Sequence, residues 1–142
     1  MRAVALIDAP SATQGDDAAC LAYRMYLFTA GVANVSMVLS ATLNVAPGRG
    51  LRYAVAFDDQ PPKVVAAVPC NYTAQSGNLE WEAAVKIDSR HSLTAHSLSW
   101  PGYHTLKIWA VDPGLVLQKI VVDLGGVAPS YLGPPESYYT LA

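Results

Sequence analysis

The sequence predicts an all-β fold: a two-sheet antiparallel β-sandwich of the jelly-roll kind, carrying one short helix. Three observations predict it. Short alternating or apolar runs recur along the chain, divided by Pro- and Gly-rich turns at short intervals, which is the pattern of sandwiches and barrels. Only one stretch has helical spacing. The length of 142 residues fits a single domain and leaves little for a second, while hiding roughly two thirds of the unfolded surface, enough for a core without staples. Residues 1–142 are therefore expected to form one domain, with a core at about 20–124 and a Pro/Gly-rich tail at 125–142.

Taken in order, AYRMYLF at 22–28 and ANVSMVL at 33–39 are two apolar runs separated by Thr29-Ala30-Gly31-Val32, which predicts a hairpin. Asn44 to Gly50 is a loop by its Pro and Gly content. The run 51–57 alternates and places Leu51, Tyr53, Val55 and Phe57 on one face. Asp58-Asp59-Gln60-Pro61-Pro62 breaks it, and Lys63 to Val68 gives another short strand. A polar loop at 70–79 precedes Glu80 to Ser89, the helical stretch, where Trp81, Ala84, Val85 and Asp88 share a face. Ten residues need docking to hold as a helix. Ser92 to Ser99 is a modest strand ended by Trp100-Pro101-Gly102. Tyr103 to Val111 and Leu115 to Leu124 are expected to pair across Asp112-Pro113-Gly114. No internal repeat is visible.

Composition narrows the function. Apolar residues make up 52% of the chain and charged residues 14%, against about a quarter charged in ordinary soluble domains. Such a surface suits contact with a larger protein or a neutral polysaccharide. The net charge of −2, without a Lys/Arg cluster, lacks the footprint that phosphate neutralisation needs and disfavours nucleic acid. No apolar run is long enough to span a membrane as a helix, and MRAVALIDAP does not read as a signal peptide. Cys20 and Cys70 leave a disulfide and two buried free thiols equally open. Neither has a CxxC partner or a nearby His, so zinc is not expected. Asn71-Tyr72-Thr73 is a formal glycosylation sequon, a pattern that also arises by chance.

No catalytic constellation emerges. His91, His96 and His104 lie in neither an HExxH helix nor a GxSxG elbow. Asp58 and Asp59 are adjacent at a strand end, and Glu80 and Glu82 flank Trp81. Glycoside hydrolysis needs two carboxylates across a cleft, whereas neighbours on an extended chain point apart, so Asp58-Asp59 is expected to be a polar strand terminus.

Binding has better candidates. Along 103–111, Leu106, Ile108 and Ala110 share one side and Tyr103, Thr105, Lys107 and Trp109 the other. Lys107 implies that the second side reaches water. Apolar C–H faces of sugars stack on aromatic rings while hydroxyls meet flanking polar groups, so Tyr103, Lys107 and Trp109 form a candidate glycan surface. Against it stands cover of Trp109 by the chain itself, with Lys107 snorkelling past. Trp100, at a strand end before Pro101-Gly102, either meets a ligand or plugs the open end of the sandwich. Tyr131, Tyr138 and Tyr139 sit among prolines, in a segment better suited to lie as a strap.

The stretch PGYHTLKIWAVDPGLVLQKIVVDLGGVAPSYLGPPES at 101–137 resembles the end of glycoside hydrolase family 115 enzymes, the xylan α-1,2-glucuronidases. LRYAVAFDDQPPKVV at 51–65, WEAAVKIDSRHS from Trp81 and YLFTAGVANVSMVLSATLNV at 26–45 are similar to the same region, so the likeness runs from Tyr26 to Ser137. It implies an N-terminal domain, a catalytic (β/α)8 barrel, a helical domain and a terminal β-sandwich. The catalytic acids would belong to the barrel, and none carries over to this chain. The implied address of the parent enzyme is extracellular or periplasmic. The last strand pair also resembles that of jelly-roll carbohydrate-binding modules, in which a structural calcium would use a position matching Asp123, without an evident early-strand partner here. No other cofactor is implied. Two roles from different classes follow: a non-catalytic module binding xylan or a related plant polysaccharide through Trp100, Tyr103, Lys107 and Trp109, or a structural domain packing on the parent catalytic barrel or mediating dimerisation. Accessible aromatics would favour the first; a broad apolar patch at Leu132, Pro134 and Pro135 the second.

Overall fold

The computed structural model describes residues 19–128, 130 and 133–138. MRAVALIDAP, Tyr131, Leu132 and Tyr139 lie outside the described residues. Among the described residues, seven strands and one helix follow in order: β1 (Cys20–Leu27), β2 (Gly31–Ser40), β3 (Leu51–Phe57), β4 (Lys63–Val68), α1 (Leu79–Ile87), β5 (Ser89–Leu98), β6 (Gly102–Ala110) and β7 (Leu117–Asp123). They form two antiparallel sheets, β1-β6-β3-β4 and β5-β2-β7. The expected two-sheet sandwich is what is observed. Every connection except β3–β4 passes from one sheet to the other, the habit of a jelly roll, although the described strands number seven where a full jelly roll has eight.

Period-two burial builds the core. Ala33, Val35, Met37 and Leu39 of β2 face Tyr53, Val55 and Phe57 of β3 and Leu106 and Ile108 of β6, all buried. β3 lies inside its sheet and is covered on both sides. Ala54 and Ala56 are also buried, on the outer face beside Trp109 and Lys107, their partners in register. A smaller cluster of Leu51, Val68 and Tyr72 takes Trp81 from the helix.

Two expected hairpins are absent. The runs at 22–28 and 33–39 are consecutive, but β1 pairs with β6 while β2 pairs with β5 and β7. Likewise β6 and β7 lie in different sheets. A turn signal specifies that the chain reverses, not which sheet receives the next strand, and either sheet satisfies an alternating pattern. Contacts made far away decide. After β6, the N–H groups of Val111 and Asp112 both donate to the Arg52 carbonyl, tying the departing chain to β3 and steering it across. After β1, Gly31 at φ 140° begins the strand on the far sheet, a conformation open to glycine.

The helix occupies Leu79–Ile87 rather than 80–89. Asn78 caps it, its Oδ1 accepting the N–H groups of Glu80 and Trp81. Asp88 ends it in the left-handed region at φ 51°, which frees Ser89 to start β5 three positions before Ser92. Trp81 and Ala84 face inward as expected, whereas Val85 is exposed.

Candidate functional site

One end of the sandwich gathers the close of β1, the start of β6, the β3–β4 turn and the β5–β6 turn, as the pairs Leu27↔Gly102 and Phe57↔Leu106 require. Most of the exposed aromatic side chains among the described residues are here: Tyr26 at 50% exposure, Phe28 at 85%, Trp100 at 56% and Tyr103 at 63%. Tyr26 sits opposite Tyr103 in register, so both project from the same outer face. Their rings meet edge to face at 5.1 Å, and Phe28 meets Tyr26 in the same way at 5.1 Å. The Arg24 guanidinium lies 4.3 Å from the Tyr103 centroid and covers one face of that ring.

Trp100 is held differently. Its indole stacks on the His104 imidazole at 5.5 Å with 26° between planes. His104 is buried within the sandwich end, so one indole face is backed by protein and the remaining exposure belongs to the other face and the edges. His104 Nε2 lies 3.0 Å from the Trp100 carbonyl oxygen, and Nδ1 lies 2.7 Å from Asp58 Oδ2. The other Asp58 oxygen accepts the Thr105 N–H at 2.8 Å. The Asp58 hydrogen bond raises the His104 pKa, overcoming burial, with help from the Trp100 carbonyl. Burial pushes the Asp58 pKa up, but the Thr105 N–H, His104 and Lys107 together bring it below the ordinary carboxylate value. Asp58 is thus more than the polar strand terminus expected: at φ 51° it turns back to clamp β6. Asp59 is fully exposed and meets Lys107 Nζ at 3.4 Å.

The structure brings Trp100 and Tyr103 to this end and leaves Lys107 and Trp109 further along β6. Trp109 lies six positions beyond Tyr103, roughly 20 Å of extended chain. Lys107 is on the outer face as expected but only about a third exposed, at 32%. Trp109 is half-buried and lines an apolar cavity of ≈ 180 Å³ with Cys20, Tyr53, Leu115 and Leu117, the covered position of the two weighed for it. The β1 residues Arg24 and Tyr26 and the loop residue Phe28 were missed. The alternation Ala22, Arg24, Tyr26 carried the signal, since Arg24 marks a wet face by the same logic as Lys107.

The other candidates have plain roles. Cys20 is half-buried and Cys70 exposed, and both are free thiols; they are neither bonded nor both buried. Glu80 pairs with Arg90 at 3.4 Å, and Glu82 accepts the Gly77 N–H. Asp123 Oδ1 accepts the Gly125 N–H at 2.7 Å, and among the described residues no group of three or more His, Cys, Asp or Glu gathers to hold a metal. Pro134 and Pro135 line a groove with Tyr23 and β7.

Three comparisons with known proteins bear on this arrangement. The family model described as the glycosyl hydrolase family 115 C-terminal domain matches residues 2–136. Among solved structures, the chain is similar to BtGH115A, described as a family GH115 4-O-methyl-α-glucuronidase with specificity for decorated arabinogalactans. The TM-score is 0.66 at 20% sequence identity, over 77% of this chain. The chain spans 14% of the length of that protein, and the likeness at this identity is one of fold. No curated protein matches. A family match over nearly the whole length, on a sandwich with the expected layers, settles the membership: the chain belongs to the glycosyl hydrolase family 115 C-terminal domains.

Proposed function

We propose that this domain is a non-catalytic carbohydrate-binding module that recognises xylan or a related plant cell-wall polysaccharide on behalf of a secreted α-glucuronidase. The observation that carries the reading is Trp100. Its indole is fixed on one side by His104 and open to water on the other, with Tyr26, Phe28 and Tyr103 exposed at the same end. A free indole face on a rigid backing matches what a pyranose ring needs: apolar C–H contact without the cost of ordering the ring first. Trp109, further along and half-buried, contributes packing.

Affinity electrophoresis of the full chain in gels containing glucuronoxylan tests this. The protein should be retarded. Trp100→Ala should weaken retention about fivefold, since one stacking contact is worth on the order of 1 kcal/mol, and Trp109→Ala should leave retention largely intact. Identical mobility with and without polysaccharide would remove the binding role. The second role, a structural domain seated on the parent barrel or in a dimer, is favoured by the exposed aliphatic side chains Leu43, Val45 and Val116 in the loops at the opposite end, and would then stand.

A further inference from the structure

Beneath Trp100, both ring nitrogens of His104 face groups that only accept hydrogen bonds: a carboxylate at 2.7 Å and a backbone carbonyl at 3.0 Å. A neutral imidazole has one N–H and satisfies one of them; an imidazolium has two and satisfies both. The same cation lies parallel to the Trp100 indole at 5.5 Å, where a positive charge is attracted to the ring face. The three contacts link β6 to the β3–β4 turn and to the β5–β6 turn, and His104 is itself almost fully buried.

We infer that His104 is a positioning residue, held as an imidazolium, which fixes the Trp100 indole and makes the exposed aromatic platform a feature of its protonated state. Losing the proton removes one hydrogen bond and the ring's attraction together. Charges of both signs surround it. Asp58 from the β3–β4 turn faces it directly, and Asp59 of the same turn is engaged by Lys107 of β6. Lys107 also acts on Asp58. From β5, His96 lies beyond the Phe57 ring, which contacts both histidines edge-on, and Lys63 of β4 acts on His96 rather than on His104. Arg24 of β1 is opposite Thr105 and turned onto Tyr103. Among the described residues Asp58 is the charged group that hydrogen-bonds His104, and it favours the cation, as the raised pKa of His104 agrees.

Nuclear magnetic resonance of the histidine and tryptophan side chains in the full chain tests this without any glycan. His104 should carry protons on both nitrogens at neutral pH and titrate above the ordinary histidine value of about 6.5. The Trp100 indole signals should shift with the same midpoint. Asp58→Asn should lower both midpoints together, and His104→Gln should abolish the Trp100 titration. A midpoint at or below 6.5, or a Trp100 signal that stays still while His104 titrates, overturns the inference. Only the last step rests on the binding role proposed above: retention by glucuronoxylan should weaken about two- to fivefold as pH rises through that midpoint. Retention that holds constant while both resonances titrate overturns the positioning role. Absence of retention at every pH counts against glycan binding alone, and the resonances then decide His104 by themselves.

Discussion

Asp112 is the residue on which the opposite end of the sandwich depends. Its side chain has no solvent exposure, and its oxygens accept the Arg52 N–H at 3.0 Å, Arg52 Nε at 2.7 Å and Arg49 Nε at 2.9 Å. Burial pushes its pKa up, yet Arg52 and Arg49 hold it below the ordinary carboxylate value. Asp112→Ala leaves two cations and a backbone N–H without their acceptor. A fully buried broken pair costs about 3–5 kcal/mol; because Arg52 and Arg49 are 31% and 41% exposed and regain water, about 2–3 kcal/mol is expected in urea unfolding. The sign of the pH dependence follows from the depressed folded pKa. The stabilisation is present above the unfolded value, about 3.9, and disappears as pH falls through the folded one. The gap between wild type and Asp112→Ala should therefore narrow in acid, and a gap constant from pH 7 to pH 3 would show that charge is not its source. Little of this could be read from the chain alone. Asp112-Pro113-Gly114 announces a turn, but the arginines that bury the carboxylate lie some sixty positions earlier in sequence. His104 and Asp58 are hidden in the same way: His104 is buried in β6 beside Leu106 and Ile108, and nothing local indicated the carboxylate waiting there.

At the scale of elements, α1 is short, and its stability rests on its ends. Asn78 accepts two of the N-terminal N–H groups and donates its own amide to the Thr73 carbonyl at 2.8 Å. Asn78→Ala should lower stability by about 1 kcal/mol, visible as a lower thermal midpoint, and Asn78→Asp should recover most of it. No change in Asn78→Ala would mean that packing of Trp81 against Leu51, Val68 and Tyr72 holds the helix unaided. The strands were legible because large apolar residues recur at every second position: Leu51, Tyr53, Val55 and Phe57 fell on one face as their spacing required, although Ala54 and Ala56 are covered too. Their partners were not. A period of two says which side of a strand is wet but carries no label for the neighbour, and so β1–β2 and β6–β7 looked like hairpins when each pair divides between sheets. That omission also concealed the aromatic cluster, since Tyr26 meets Tyr103 only because β1 lies beside β6.

Across the whole molecule, two buried histidines share the Phe57 ring and pull stability in opposite directions. His104 has a raised pKa because of Asp58. His96 has a lowered one, because burial and then Lys63 disfavour its charge. Below about 6.5 the unfolded chain binds a proton that native His96 refuses, so stability falls as pH drops through that range. Above about 6.5 native His104 keeps a proton that the unfolded chain releases, so stability falls as pH rises toward its folded value. The folded state is thus favoured between the two, and each variant should expose the other's slope. His104→Gln should gain stability from pH 5 to 7 and then level off; His96→Gln should be flat through pH 6 and lose stability from pH 6.5 to 8. Urea midpoints across that range give both slopes at constant unfolding cooperativity. Parallel profiles in the two variants would mean that neither histidine has the protonation its partners impose. Opposite slopes would show that the acceptors around His104 decide the charge beneath Trp100, since the two rings lie on the same buried phenyl group and differ in the company of Asp58.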